Sequence, residues 1–412
     1  MKGKIFMNIA VAQSGGPTCA INASLVGVFR QALKTPEIDT VFGSINGIEG
    51  IINDDLIILN AAITSNEDME LLRQTPSTIL GSCRYKLPDS SVDEEVYKKI
   101  ISTFDKHRIK KFIYIGGNDS MDTVVKLSKY LEKLGREDIC VIGVPKTIDN
   151  DLCVTDHTPG FGSAAKYVAA SVQEIIRDSR VYSIESVTII EIMGRHAGWL
   201  TASTCMLRAN GEIAPHLIYL PEGKFSVKQF VEDVRCQQAK HQAVIVAVSE
   251  GVTIDPEEVD LSEFQSGATD AFGHTYLSGI GKCLEKIIAK EISCKVRSIE
   301  LNVMQRCSSH ICSKTDIDEA EEIGAKGVVA AMKGHSGKMM YYKRLSSQPY
   351  VITIEEIDAS EVANKEKMFP EKWINDAGNN VSDEALKYFL PLIQGEVDIF
   401  MRNGMPLHFM LK

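Results

Sequence analysis

The chain has only two tryptophans, aromatics make up 7% of its 412 residues, and it carries no surplus of positive charge. A net charge of −10 with a pI near 5.5 argues against a protein that coats nucleic acid or an anionic membrane. No apolar stretch approaches the roughly 18–20 residues that span a bilayer. The ten cysteines form no C-x-x-C pair, and the tightest spacing, Cys307 with Cys312, has no second pair nearby, so a zinc site is not expected. Cys19, Cys140, Cys153 and Cys205 sit among apolar or small neighbours and read as buried thiols of a reducing, cytoplasmic compartment. There is no G-x-x-x-x-G-K-[ST] run, which excludes a P-loop enzyme. No G-x-G-x-x-G follows a strand candidate either, which disfavours a dinucleotide fold.

What the chain does have is room for two or three domains, with 44% hydrophobic and 24% charged residues, which removes disordered and fibrous classes. Lys2 and Lys4 before an apolar run ending in Ala10-Val11-Ala12 imitate a signal peptide. The run is short, is broken by Asn8 and leads into a glycine turn, so a first β-strand is the better reading. Strands are expected at 5–12, 111–115, 140–144, 187–193, 216–220, 243–248 and 299–303. Helices are expected at 121–134, 162–178 and 318–332, and strand–helix alternation means βαβ units with ligands at the carboxyl ends of strands. Residues 251–280 read as a loop leading to a helix near 277–289. After about residue 348 a strand at 350–357 and a helix at 383–390 form a C-terminal appendage.

Four strand ends carry polar clusters. Ser14-Gly15-Gly16-Pro17-Thr18 is a turn whose N–H groups can face an anion. Gly116-Gly117-Asn118-Asp119-Ser120 repeats that layout with a carboxylate, although Asp119 taken alone reads more readily as a helix cap than as a ligand. Pro145-Lys146-Thr147-Ile148-Asp149-Asn150-Asp151 puts a lysine and two carboxylates within six residues. A cation beside paired carboxylates suits a phosphate with a proton acceptor next to it, and the plainer alternative is a polar loop with an Asx-turn. Met193-Gly194-Arg195-His196 again ends a strand at a glycine, and Arg297 and Arg306 flank the later strand. Two glycine turns, a Lys-Asp-Asp loop and three arginines describe a site for a molecule with several phosphates.

These residues, with Ile21-Asn22, Gly81-Ser82-Cys83-Arg84, Glu250-Gly251 and Gln305-Arg306, follow the order of the 6-phosphofructokinase family. Across roughly residues 5–340 the chain resembles the diphosphate-dependent branch. The resemblance implies an α/β, two-lobed fold of mostly parallel sheets flanked by helices, with a C-terminal appendage. Residues 1–160 with 306–350 would form the phosphoryl-donor lobe, 161–305 the sugar-phosphate lobe, and 351–412 an extension packed on both. It implies transfer of a phosphoryl group from diphosphate to the 1-hydroxyl of fructose 6-phosphate, giving fructose 1,6-bisphosphate and phosphate with Mg²⁺, by a homodimer or homotetramer that binds neither nucleic acid nor membrane.

By the same resemblance Asp149 is the base, with Thr147, Asp151 and Arg195 in the catalytic machinery, and Lys146 offsets charge on the transferring group. Met193, Gly194, Glu250, Val303, Met304 and Gln305 match sugar-phosphate contacts, and Arg297 and Arg306 match 6-phosphate arginines. Gly15, Arg84 and Asp119 match the donor side, and the metal would lie near Asn118 and Asp119. Glycine usually stands in ATP-using relatives where Asp119 and Lys146 stand here, so the pair points to diphosphate. Ile45 holds a position often aromatic in ATP users. Asn118, Ser186 and Val303 depart from the family pattern, Ser186 where ATP enzymes have an arginine that reaches a neighbouring subunit. An ATP-dependent phosphofructokinase and a non-catalytic sugar-phosphate sensor are the alternatives.

Overall fold

Met7–Gln13 reads MNIAVAQ and is buried from Asn8 to Gln13, the pattern of a strand covered on both faces. Cys140–Pro145, CVIGVP, and Ala243–Ser249, AVIVAVS, are buried throughout. Such runs become inner strands of two separate sheets. The computed structural model describes residues 6–258, 265–269, 275–277 and 279–411. Lys2, Lys4 and parts of the 251–280 stretch lie outside them.

The chain divides into two units. The first comprises Met1–Ala164, Arg306–Glu366 and Pro391–Lys412, the second Ala165–Gln305 and Lys367–Leu390. The boundary at residue 164 falls inside the helix Phe161–Ser179. The sequence after residue 350 is thus shared between the units: Tyr350–Asp358 is an edge strand of the first, residues 367–390 belong to the second, and residues 391–412 return to the first.

In the first unit seven strands run in the spatial order Tyr350–Asp358, Lys338–Ser347, Cys140–Pro145, Ile109–Gly116, Met7–Gln13, Ile38–Ser44, Leu56–Ile58. The inner five are parallel and each edge strand is antiparallel to its neighbour. The helices Ile21–Leu33 and Lys314–Met332 cover one face, and they cross at glycines. A β-carbon on Gly27 would lie 1.9 Å from the Glu321 carbonyl oxygen, and one on Gly324 would lie 2.1 Å from that of Ser24. Only glycine lets these backbones approach so closely.

The second unit holds a four-stranded parallel sheet in the order Lys295–Glu300, Ser186–Ile192, Ala243–Ser249, Leu217–Tyr219. Val187, Ile189, Val244 and Val246 pack there with Phe230 and Leu284. Residues 367–390 are held by Trp199, whose ring meets Phe369, Trp373, Tyr388 and Phe389 and whose Nε1 donates to the Lys367 carbonyl at 2.9 Å.

The fold is α/β, with mostly parallel sheets flanked by helices. One expected strand is displaced. The sequence reading favours 299–303, whereas the strand is Lys295–Glu300 and Asn302–Arg306 is a short 3₁₀ turn. This is an edge strand, paired on one side only and half-exposed, so it carries no apolar run, and Asn302 at φ +45° ends the extended chain. The helix expected at 318–332 starts earlier, at Lys314, because the Ser313 side chain caps it by accepting from Asp316 N–H. The stretch read as a loop at 251–280 contains the antiparallel pair Gln265–Thr269 and Thr275–Leu277. Among the described residues no helix is long and apolar enough to cross a membrane.

Candidate active site

Parallel neighbours end at the same edge. Met7–Gln13, Ile109–Gly116 and Cys140–Pro145 are adjacent, with Gln13 paired to Ile115 and Gly116 to Pro145. At about 4.8 Å per strand, their three following loops gather within roughly 10 Å. These are the Ser14–Thr18 turn, the start of the helix Asn118–Lys133 and the Lys146–Asp151 loop.

Lys146 is the centre of this group. It is 2% exposed, its Nζ donates to the Gly16 carbonyl at 2.7 Å, and Asp149, Asp151 and Arg306 are its charged neighbours. Burial pulls its pKa down to about 8, with Arg306 acting the same way and the two aspartates opposing. Gly15 has φ +75°, which favours glycine, and a β-carbon there would lie 3.1 Å from the lysine Nζ, a tight contact that would push the ammonium aside. Arg306 Nη1 would be 3.4 Å from a β-carbon on Gly16, so this arginine stands beside the glycine turn.

The turn is tied down on two sides. The Ser14 and Ser120 hydroxyls hydrogen-bond each other, joining it to the helix start. Gly15 N–H donates to the Cys83 carbonyl at 3.3 Å and the Ser82 hydroxyl to the Gly15 carbonyl at 2.7 Å, which brings exposed Arg84 to the same edge. In the Lys146–Asp151 loop, Asp149 N–H donates to Thr147 Oγ1 at 3.1 Å and Asn150 is fully buried at φ +56°. Thr147 in turn bridges to Gly160, and its carbonyl accepts from the Thr158 hydroxyl at 2.7 Å.

At the helix start, Asp119 is exposed and pairs with exposed Lys86 at 3.1 Å. The Asn118 amide is turned to its own chain. It donates to the Lys365 carbonyl at 2.7 Å and accepts from Asn364 N–H. Among the described residues no group of three or more His, Cys, Asp or Glu stands ready to hold a metal. Magnesium needs no such cage, since it keeps several waters and takes one or two carboxylates plus substrate phosphates. Asp119 and Asp151 fit that donor set, and the Asn118 amide, bonded to residues 364 and 365, does not add to it.

The second unit has its own edge. Met193-Gly194-Arg195 follows one strand, Glu250 the next and residues 302–305 the third. Gln305, 1% exposed, accepts from Met193 N–H at 3.1 Å. Glu250 accepts from Gly194 N–H at 3.4 Å and lies 3.6 Å from the Arg195 Nε, leaving that guanidinium 75% exposed. Val303 and Met304 are exposed, and so is His196. Arg297 is not at this edge. It is the third residue of its strand, opposite Thr188, about 10 Å short of the carboxyl end, and pairs with Asp178 at 3.1 Å.

Sequence reasoning passed over Lys86 and His157. Lys86 follows Arg84 by two positions, a usable signal. His157, seven residues after Asn150, is visible only through its partners in space.

The phosphofructokinase family model matches residues 8–331. The chain is 39% identical over 402 residues to the pyrophosphate–fructose 6-phosphate 1-phosphotransferase of Halomonas elongata, covering 97% of this chain and 94% of that one. Against the protein of the same description from Xanthomonas campestris pv. campestris it is 38% identical over 408 residues, 98% of this chain and 96% of the other. Among solved structures, the pyrophosphate-dependent phosphofructokinase of Nitrosospira multiformis superposes with a TM-score of 0.87 at 35% identity, covering 98% and 96% of the two chains. The chain belongs to the phosphofructokinase family.

Proposed function

We propose that this protein transfers a phosphoryl group from diphosphate to the 1-hydroxyl of fructose 6-phosphate, reversibly, giving fructose 1,6-bisphosphate and phosphate. The observation that carries the reading is Lys146, buried under a glycine turn and surrounded by Asp149, Asp151 and Arg306. A buried ammonium with its pKa drawn down to about 8 gains most from an arriving polyanion, which favours the charged form and adds to the counter-charge of the two aspartates. The relatives named for diphosphate support the same donor.

Phosphoryl transfer asks for positioning and charge neutralisation rather than covalent catalysis. In the first unit Gly15, Arg84 and Lys146 bind the donor, and Asp119 crowds and repels the inner phosphate of a nucleotide. Asp149 takes the proton of the 1-hydroxyl as that oxygen attacks the phosphoryl group, with Thr147 holding the Asp149 N–H and Asp151 beside it. In the second unit Met193, Gly194, Glu250, Val303, Met304 and Gln305 form the sugar-phosphate side, with Arg195 at its rim. Arg306 serves the 6-phosphate, although its place beside Gly16 also suits the transferring group. Magnesium, held by Asp119 and Asp151 with water and phosphate oxygens, would supply further neutralisation of phosphate charge.

The proposal includes a cytoplasmic homodimer or homotetramer. Arg297 lies away from Met193–Arg195 within its own unit, so its part in sugar-phosphate binding is assigned to the site of a second copy. Mixing Asp149→Asn and Arg297→Ala subunits should then restore activity that neither homo-oligomer has. The main claim is tested with purified protein in an aldolase-coupled assay, offering diphosphate or ATP. Turnover with diphosphate is expected, and turnover with ATP alone would reject the donor.

A further inference from the structure

His157 is wholly buried in the first unit, and both ring nitrogens face carboxylates. Nδ1 lies 2.9 Å from Asp156 Oδ1 and Nε2 lies 2.7 Å from Glu319 Oε2. A neutral imidazole has one N–H, and an ionised carboxylate only accepts, so two such contacts require both nitrogens to be protonated. Further partners hold the two carboxylates. Arg344 donates to Asp156 from Nε and Nη2 at 3.0 and 2.8 Å, and the Tyr350 hydroxyl donates to Glu319 Oε1 at 2.8 Å. The Tyr342 ring stacks on the imidazole at 4.5 Å, and Arg344 lies over the Tyr350 ring at 5.2 Å. Two cations and two carboxylates from three stretches of chain therefore meet.

The stretch that carries His157 continues directly into the supports of the Lys146–Asp151 loop. The Thr158 hydroxyl donates to the Thr147 carbonyl, Pro159 accepts from Thr147 N–H at 3.3 Å, and Gly160 bridges to Thr147. Gly160 N–H is fixed from the other side by buried Asp316 at 2.8 Å. Asp316, three residues before Glu319 on the same helix, is also a charged neighbour of the imidazole. Thr147 then holds the Asp149 N–H. A continuous chain of contacts runs from the imidazole to the proposed base.

We propose that His157 is a positioning residue for phosphoryl transfer: as an imidazolium clamped by Asp156 and Glu319 it holds residues 158–160, and through Thr147 keeps Asp149 aimed. The inference rests on the assignment of Asp149 as base. Burial alone would strip the ring of its second proton. Glu319 and Asp156 outweigh burial and hold the pKa above the ordinary value, so the clamp opens as pH rises through that raised value.

The test has two arms on the full-length protein. In ¹⁵N NMR of the nine histidines, the resonance lost in His157→Gln should report both nitrogens protonated at neutral pH and keep that signature to a higher pH than an ordinary imidazole does. A ring carrying one proton at neutral pH overturns the proposal whatever the activity. In kinetics, Glu319→Gln keeps the shape but removes one clamping charge. Its kcat should fall about 10- to 100-fold below the parent's as pH rises and the ring loses its second proton, and recover at lower pH, with both KM values within about threefold. A variant that loses thermal stability but keeps the parent's kcat at every pH would show a role in folding only, and would overturn the positioning claim. If Asp149→Asn retains near-normal kcat, the base assignment fails instead, and the NMR result stands apart from it.

Discussion

Replacing Lys146 with methionine separates what this residue does for stability from what it does for the reaction. The side chains are similar in length, and the site is 2% exposed, so methionine fits an already dry space. A lysine held at about 8 instead of 10.5 carries a folding penalty near neutral pH of about 3 kcal/mol, at 1.36 kcal/mol per pH unit. Loss of the bond to the Gly16 carbonyl takes back about 1 kcal/mol. Lys146→Met should therefore unfold in urea with a net gain of about 2 kcal/mol, measured in phosphate-free buffer so that no anion occupies the site. Between about pH 8 and 10.5 the unfolded chain holds this proton and the folded chain does not. Parent stability should accordingly climb with pH through that window relative to the variant. The same variant should lose about 10²–10³-fold in kcat/KM for diphosphate, the scale for removing one donor from a desolvated transition state. In the parent, kcat/KM for diphosphate should fall above about pH 8 as the free enzyme's lysine deprotonates, while the limb in kcat moves higher because bound anion favours the charged form. A variant less stable than the parent by more than about 1 kcal/mol, or one retaining diphosphate turnover within tenfold, would refute this reasoning.

Asp149→Asn should lower kcat about 10²–10⁴-fold with the fructose 6-phosphate KM little changed, and near-normal kcat would move the base to Asp151. Arg306→Ala discriminates between two neighbours of the same guanidinium: a rise in fructose 6-phosphate KM fits the 6-phosphate role, and a rise in diphosphate KM fits its place beside Gly16. Asp119→Gly should admit ATP while diphosphate remains usable, and it releases Lys86 from its 3.1 Å pair. Adding Lys146→Gly should then invert the preference, with non-additive effects because both residues face the same phosphates. A double variant indifferent to ATP would put donor choice in the Ser14–Thr18 turn or near Ile45.

The inner strands and the loops that follow them were legible because they are continuous apolar runs ending in glycine and charge, and parallel pairing brings such ends to one edge. The edge strand Lys295–Glu300 was not, because half-exposed positions erase the apolar signal. For the same reason Arg297, read as flanking a strand, proves to lie within one. Asn118 could be recognised as a departure from the family pattern, but its use as a latch on residues 364 and 365 depends on a segment some 250 residues away. His157 is the extreme case. Its meaning lies in Glu319, Arg344 and Tyr350, residues that no spacing rule connects to it.

The central claim is that diphosphate, not a nucleotide, gives its phosphoryl group to the 1-hydroxyl of fructose 6-phosphate. It is tested most directly by ³¹P NMR of purified protein with fructose 6-phosphate, diphosphate and magnesium and no nucleotide. The diphosphate signal should decline while inorganic phosphate and the 1-phosphate of fructose 1,6-bisphosphate grow in equal amounts, and added phosphate should drive the reaction back. An unchanged diphosphate signal, with the same product appearing only when ATP is supplied, would contradict it.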